Sequence, residues 1–288
     1  MGTVVTIQVA GSGDDAEAAI ERAFGWFHEI EDRCTRFSAR SELMQLTAQV
    51  GVAVPASPIL FEAVNFALLV AEESGGAFDP TVGHRMAARG FNKEHRTGEI
   101  VPTALTPDRD VSYRDVELDP GRGTILLRRA LTLDLGAVAK GLAVDTAARE
   151  LEPFKNFSID AGGDLYLGGL NPQGEPWSVG IRHPRQEGEL IDRLLVSDQA
   201  VCTSGDYERR AAGGEGHHIL DPRKGVSPDA VASATVVAPI AMLADALATA
   251  AFVLGPNDGI AFLTRLGVEG LIFTTDLVRH ETRGLRHA

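Results

Sequence analysis

The sequence is poor in cysteine and has no long uncharged apolar run. Its 288 residues include only two cysteines, Cys34 and Cys202, which lie far apart and outside any Cys-x-x-Cys motif. This arrangement argues against a disulfide framework or a thiolate zinc site and is typical of a reducing compartment. Because no apolar run reaches the ~18 residues that a membrane span needs, we predict no membrane span.

Basic residues are scarce relative to acidic ones. The chain has 27 Lys and Arg residues against 40 Asp and Glu residues, which gives a formal net charge of −13. This balance argues against a protein that binds the nucleic-acid phosphate backbone. The first residues also lack the basic and apolar regions of a signal peptide, so we expect a soluble, cytoplasmic protein.

The order of apolar, β-branched, glycine and proline residues predicts both helices and strands. Strands are expected over residues 3–9, 124–133, 157–167 and 177–181, and helices over residues 58–74, 137–152 and 238–254. These elements do not alternate as in a doubly wound sheet, and no repeat or linker marks a boundary. We therefore expect a single α+β domain with two lobes over residues 1–288.

The apolar stretch 238–254 contains only two polar side chains, Asp245 and Thr249. A spacing of four residues places both on one face of a helix. A carboxylate in such a helix needs a partner, so a positive group should face it. One interpretation is a buried ion pair or a backbone cap, with the Thr249 hydroxyl bonded to the carbonyl of residue 245. The other is a Mg²⁺ site built from the carboxylate and hydroxyl oxygens.

Residues 134–141 predict a strand end that runs directly into a helix. Turns of this kind present backbone N–H groups to anions, and Lys140 would lie near the first helical turn. A phosphate group could bind there, although the segment is neither a Walker A loop nor a GxGxxG motif. Alternatively, Asp134 is a simple helix cap and Lys140 is a solvated surface charge.

Two glycine-containing segments also contain candidate site residues. His217 and His218 follow a Gly-rich loop, and adjacent histidines on an extended chain point in different directions, which makes them a poor metal pair. One of them is therefore either an acid or base, or a structural loop histidine. In the segment 75–83, glycines would allow the backbone to approach a flat ligand closely.

Together, these segments resemble the ApbE family, the flavin transferases that take FMN from FAD and attach it to a protein hydroxyl. The resemblance extends over nearly the whole chain. The matching motifs are Met1-Gly2-Thr3, Arg36-Phe37-Ser38, Ser41-Glu42-Leu43, Gly76 to Gly83, Asp134 to Asp145, Asp160 to Asp164, Thr203-Ser204-Gly205, His218 to Pro222, and Asp245 to Thr249. The family implies a T-fold-like domain of mixed or antiparallel sheets flanked by helices.

The resemblance also implies roles for individual residues. Mg²⁺ would be bound by Asp245, Thr249 and the carbonyl oxygen of Ala137. His218 is expected to be catalytic. Positions that match the family's FAD contacts are Met1, Phe37, Ala77, Phe78, Asp79, Asp134, Lys140 and Ile219.

The implied reaction is a phosphoryl transfer that uses FAD as substrate. The hydroxyl of a Thr or Ser in an acceptor protein would attack the FMN phosphorus, and AMP would leave. Mg²⁺ and Lys140 would neutralise the pyrophosphate, and His218 or a carboxylate such as Asp164 or Asp221 would accept the hydroxyl proton. The alternatives are a hydrolase that splits FAD into FMN and AMP, and a flavin-binding protein without turnover.

Overall fold

An antiparallel sheet of seven strands forms the centre of the protein. The computed structural model describes residues 2–10, 14–94, 98–101, 108, 110–209 and 216–288. Within these ranges the strands are β1 Val5–Val9, β2 Ala53–Pro55, β3 Val116–Asp119, β4 Thr124–Leu127, β5 Phe157–Ala161, β6 Asp164–Gly168, β7 Trp177–Arg182, β8 Leu190–Val196, β9 Gln199–Gly205, β10 Val231–Ala238, β11 Glu269–Thr274 and β12 Arg279–Glu281. The α-helices are α1 Asp14–Cys34, α2 Glu42–Thr47, α3 Pro58–Glu73, α4 Gly83–Ala88, α5 Gly136–Leu151, α6 Ala241–Leu254 and α7 Pro256–Leu266.

The central sheet has the order β1-β5-β6-β9-β10-β11-β12, and each neighbouring pair is antiparallel. Its two faces are covered differently because side chains alternate along each strand. Cys202 and Val236 belong to the large core with the helices. Their neighbours Val201 and Val237 pack with the two-stranded sheet β7-β8. A third sheet, β2-β4-β3, contains three strands.

Local sequence signals explain where several elements begin. The Ser57 hydroxyl accepts a hydrogen bond from the N–H of Leu60, and Pro58 occupies the first position of α3. Strand β10 is buried at every position, and α6 follows it closely. The bounds of α3 and α5 confirm the helices predicted over 58–74 and 137–152 within one or two residues. The third predicted helix begins at Ala241 instead of residue 238.

Two predicted strands are wrong in extent. The segment 157–167 is a hairpin instead of one strand, because Gly162 and Gly163 adopt φ angles of 67° and 95° that reverse the chain between β5 and β6. Strand β4 ends at Leu127, although the prediction extended to residue 133. Beyond it, Thr132 makes an isolated bridge to Val82.

The architecture confirms the expected α+β class, with antiparallel sheets and flanking helices. A single domain over residues 1–288 stays a prediction. In the part of the chain that the structure describes, no helix is both long enough and apolar enough to span a membrane.

Candidate functional site

Helices α5 and α6 meet beside strands β6 and β9, and a buried ion pair lies at this meeting point. Lys140 on α5 forms a salt bridge with Asp164, the first residue of β6. The Asp164 side chain is 3% exposed, which makes this an interior carboxylate instead of a surface one. Burial raises its pKa, and Lys140 opposes that shift. The interpretation of Lys140 as a solvated charge is therefore wrong.

Asp245 lies next to this ion pair and is itself buried. Burial raises the pKa of Asp245 well above its ordinary value, and the neighbouring Asp164 carboxylate adds to the effect. Lys140 is the positive group that faces it, and Lys140 and the backbone N–H of Gly141 both oppose the rise in the pKa of Asp245. Among the described residues, the Oδ2 atom of Asp245 has no hydrogen-bond partner.

We call Lys140, Asp164 and Asp245 the carboxylate cluster. It holds two carboxylates and one ammonium, so its ionised form lacks one positive charge. An uncompensated buried charge is costly, and a bound cation would remove that cost. The orphaned Oδ2 atom of Asp245 is available to such a cation.

Two further oxygen donors belong to the same helices. The Thr249 hydroxyl, one helical turn after Asp245, lies 3.1 Å from the Ser204 hydroxyl at the end of β9. Ala137 has non-helical φ and ψ angles of −94° and 18° and marks a kink in the first turn of α5. Carboxylate, hydroxyl and carbonyl oxygens form a donor set that suits Mg²⁺. Across the described ranges, no group of three or more His, Cys, Asp or Glu side chains is arranged to hold a metal.

A second group of charges surrounds Asp134, just before α5. The Arg36 Nε atom lies 2.7 Å from Asp134 Oδ2, and its Nη2 atom donates to the carbonyl of Phe91 at 2.5 Å. The Arg36 guanidinium also lies over the Phe37 ring, 4.2 Å from its centroid. Burial alone would raise the pKa of Asp134, but Arg36 and the N–H of Gly136 outweigh it and lower the pKa. Asp134 is therefore a fixed negative charge.

His218 lies close to this second group. Its ring meets the Phe91 ring edge to face, with centroids 6.5 Å apart. Burial lowers the pKa of His218 to about 4, and the nearby Arg209 contributes in the same direction. The imidazole is therefore neutral at neutral pH, and among the described residues its Nδ1 atom has no hydrogen-bond partner. His217, by contrast, bonds to the carbonyl of Pro228 and packs against Phe252.

Helix α4 fixes the loop that carries His218. Arg85 donates to the carbonyl of Pro222 at 2.6 Å, and Arg89 donates to the Ser227 hydroxyl at 2.7 Å. Asp221 forms a salt bridge with Arg223 and accepts its backbone N–H. The Asp221 carboxylate therefore stabilises the conformation of this loop.

The remaining predicted FAD contacts lie mostly in the interior. Ala77, Phe78 and Ile219 are buried. Asp79 accepts hydrogen bonds from the N–H and hydroxyl of Thr81 through one oxygen, and from the N–H of Tyr113 through the other. Met1 lies outside the described residues.

Two partners of predicted residues were not foreseen from the sequence. Arg36 pairs with Asp134, which lies 98 residues later in the chain. Asp164 pairs with Lys140, which lies 24 residues earlier. Both belong to motifs already recognised, but no periodicity links them. The sequence offered no signal for either pair, because a helix cap at Asp134 and a solvated Lys140 would need no opposite charge.

The chain is similar to known proteins over most of its length. The model of the ApbE family matches residues 1–272. The FAD:protein FMN transferase of Treponema pallidum is 34% identical over 96% of this chain and 83% of its own length. The protein of the same name from Haemophilus influenzae is 27% identical over 90% of this chain and 80% of its own.

Solved structures show the same architecture. The crystal structure of the ApbE protein from Thermotoga maritima has a TM-score of 0.87 and 29% identity, and it covers 98% of this chain and 94% of its own. The flavin transferase ApbE from Vibrio cholerae has a TM-score of 0.81 and 26% identity, with the same coverage of both chains.

Proposed function

The chain belongs to the ApbE family, and from that premise we propose that it transfers FMN from FAD to a Thr or Ser hydroxyl of an acceptor protein. AMP is the second product, and the reaction requires Mg²⁺. As a member of this family the chain is a transferase. The acceptor is a protein. The proposal includes no nucleic-acid partner and no segment that spans a membrane.

The carboxylate cluster is the observation that supports this proposal most strongly. Its two buried carboxylates face one ammonium, and the Oδ2 atom of Asp245 has no donor among the described residues. A purely structural ion pair would be balanced in charge, because an unpaired buried carboxylate destabilises the fold. The excess negative charge that the cluster carries when both carboxylates are ionised therefore favours a site that receives a cation.

Asp245, Thr249 and the carbonyl oxygen of Ala137 are the residues that would hold Mg²⁺. When bound, Mg²⁺ supplies positive charge that neutralises the pyrophosphate of FAD and the charge that develops on the leaving group. Lys140 supplies a second positive charge from α5, and Asp164 fixes its position through their salt bridge.

The transfer itself exchanges one P–O bond for another. The acceptor hydroxyl oxygen bonds to the FMN phosphorus, the pyrophosphate bridge breaks, and the bridging oxygen leaves with AMP. The hydroxyl proton passes to His218, whose neutral imidazole can accept it. The negative pyrophosphate near His218 would raise the pKa of this histidine and make it a stronger base when FAD is bound.

The FAD-binding surface is proposed from residues around the second group of charges. Phe37 and Asp134 both contact the Arg36 guanidinium, and Lys140 lies in the second turn of α5. Ala77, Phe78, Asp79 and Ile219 are buried. Met1 completes the set implied by the family.

The decisive experiment measures all products from one reaction. The purified protein is incubated with FAD, Mg²⁺ and a candidate acceptor flavoprotein, and the acceptor is then examined by intact-mass spectrometry while AMP and FMN are quantified chromatographically. The control is the same acceptor with its target Thr replaced by Ala. We expect an acceptor mass increase of one FMN group, matched by an equal amount of AMP and absent from the control.

Two other results would contradict the proposed transfer. Equal amounts of free FMN and AMP, with no gain in acceptor mass, would indicate a hydrolase. Tight FAD binding without either product would indicate a flavin-binding protein. Chelation of Mg²⁺ must abolish the transfer, and full activity in excess chelator would contradict the metal requirement.

A further inference from the structure

Helix α6 begins without a capping side chain of its own. Ile240 occupies the N-cap position with extended backbone angles of φ −135° and ψ 149°, and its side chain offers no hydrogen-bond acceptor. The acceptor comes instead from α5. The Asp145 Oδ1 atom accepts the N–H of Ala241 at 2.6 Å, and its Oδ2 atom accepts the N–H of Met242 at 2.9 Å.

This cap is a connection between two helices as well as a helix terminus. Asp145 is buried and lies 96 residues before Ala241 in the chain. Both oxygens are used on two successive N–H groups, so the carboxylate restrains the direction of α6 as well as its distance from α5. The positive end of the α6 dipole also favours a negative charge at this position.

The two helices touch closely one turn before Asp145. A Cβ atom placed on Gly141 would lie 2.5 Å from Met242 Cα and 2.6 Å from the carbonyl of Ala241, so only glycine allows this approach. Gly141 and Asp145 therefore both lie where α5 and α6 cross. The glycine allows the two helices to approach closely, and the Asp145 carboxylate bonds α5 to the start of α6.

The proposed cation ligands lie on both sides of this crossing. Ala137 belongs to α5, one turn before Gly141, whereas Asp245 and Thr249 belong to α6, one and two turns after Ala241. The separation between the Ala137 carbonyl and the α6 oxygens is thus determined by how α5 and α6 cross. Asp145 is the polar side chain that bonds the start of one helix to the other.

We propose that Asp145 is a positioning residue for the cation site, which it organises by capping α6 from α5. It contacts neither FAD nor the cation in this proposal. The inference rests on the proposed assignment of Ala137, Asp245 and Thr249 as cation ligands. A cap that contributed only stability would change the melting temperature but not the affinity for the cation.

The test measures cation binding without catalysis. Mn²⁺ binding to the full chain is titrated by the loss of the free-ion EPR signal, without FAD, and melting temperature is measured on the same preparation. Asp145→Asn keeps the shape of the side chain but removes its charge and one acceptor oxygen. We expect Mn²⁺ affinity to fall about tenfold or more, as is typical when a partner behind the metal ligands is altered.

Ser57→Ala is the matched control, because it removes the cap of α3, a helix that carries none of the proposed ligands. It should lower the melting temperature and leave Mn²⁺ affinity unchanged. A second variant separates stability from positioning. In Asp145→Asn combined with Ile240→Ser, the new hydroxyl can cap α6 locally, because residue 240 already has N-cap backbone angles. We expect this double variant to regain melting temperature but not Mn²⁺ affinity.

The outcomes are distinct. Wild-type Mn²⁺ affinity in Asp145→Asn, or recovery of affinity together with stability in the double variant, would overturn the positioning role and leave the proposed metal site intact. Absence of Mn²⁺ binding in the wild-type protein would contradict the metal site and the role of Asp145 together. If Asp145→Asn alone does not fold, the locally capped double variant still decides the question.

Discussion

Lys140 and Asp164 form a salt bridge in the interior, directly beside the buried carboxylate of Asp245. One ammonium therefore serves two carboxylates. Burial raises the pKa of both carboxylates, which means that the fold without a cation disfavours their simultaneous ionisation. The cluster is more suited to binding a cation than to stabilising the fold.

Removal of the Lys140 ammonium should destabilise the fold, because it leaves the two buried carboxylates without their positive partner. Lys140→Met keeps most of the side-chain volume but leaves Asp164 without its partner, so we expect a loss of up to about 3–5 kcal/mol in the free energy of unfolding at neutral pH. Combining it with Asp164→Asn should restore much of that loss, because the unpaired charge is gone. Urea denaturation of both single variants and the double variant measures the coupling. Additive effects would show that the salt bridge does not link the two residues energetically.

The metal assignment predicts a different response at Asp245. Asp245→Asn removes a charge that is costly in the interior, so the fold should survive with an equal or higher melting temperature. Turnover of FAD should nevertheless collapse, because the anionic metal ligand is lost. Thr249→Ala should be milder, since a neutral hydroxyl contributes less to cation binding than a carboxylate does. A Mg²⁺ titration of FAD turnover measures both variants, and wild-type turnover in Asp245→Asn across the titration would contradict the assignment.

Sequence patterns singled out individual candidate residues but not the contacts between them. Asp245 and Thr249 stood out because a carboxylate in an apolar helix needs a partner, either an ion pair, a backbone cap or a cation, and their spacing of four residues placed them on one face. The salt bridges of Lys140 with Asp164 and of Arg36 with Asp134 could not be predicted in this way. They join different elements, and their geometry depends on how α5 lies against the sheet.

The same distinction applies to the fold. Helix α3 was predictable because Ser57 and Pro58 mark its start in the local sequence. The prediction of one strand over residues 157–167 misses the hairpin β5-β6, although the Gly162-Gly163 pair between two short β-branched and aromatic runs is a hairpin signal. The cap of α6 by Asp145 had no local signal, because the capping residue belongs to another helix.

The buried histidine predicts a pH dependence of stability. The pKa of His218 is lowered to about 4 from an ordinary value of 6.5. The unfolded chain therefore takes up a proton below pH 6.5 while the folded chain stays neutral, and stability contributed by the neutral imidazole is lost as the pH falls through this window. Asp145 opposes this trend, because burial raises its pKa to about 6 and the folded state then binds the proton first as the pH falls.

Because these two groups have opposite effects, the wild-type curve alone is not informative, and a difference between two proteins is needed. His218→Gln keeps a polar side chain that does not titrate. Relative to the wild type, its free energy of unfolding should rise as the pH falls from 7 to 4, by up to about 3 kcal/mol. Urea denaturation of both proteins at several pH values measures the difference. Parallel curves would show that the buried imidazole does not resist protonation.

The last prediction separates catalysis from binding at His218. If its imidazole accepts the hydroxyl proton, His218→Ala should lower the transfer rate by about 10²- to 10⁴-fold, the usual contribution of a positioned acid or base. FAD affinity should change little, because that interaction develops mainly in the transition state. A histidine that only supports its loop would behave differently, since its loss would reduce FAD affinity and melting temperature together.

Arg89→Ala is the control for loop support, because it removes the bond between α4 and Ser227 without touching the imidazole. Single-turnover rate, FAD titration and melting temperature on the same preparations distinguish the two roles. An unchanged rate at saturating FAD in His218→Ala would transfer the role of base to another group. Asp164 would be the next candidate, because burial raises its pKa and neither the proposed metal site nor the cap of α6 uses its carboxylate as a ligand.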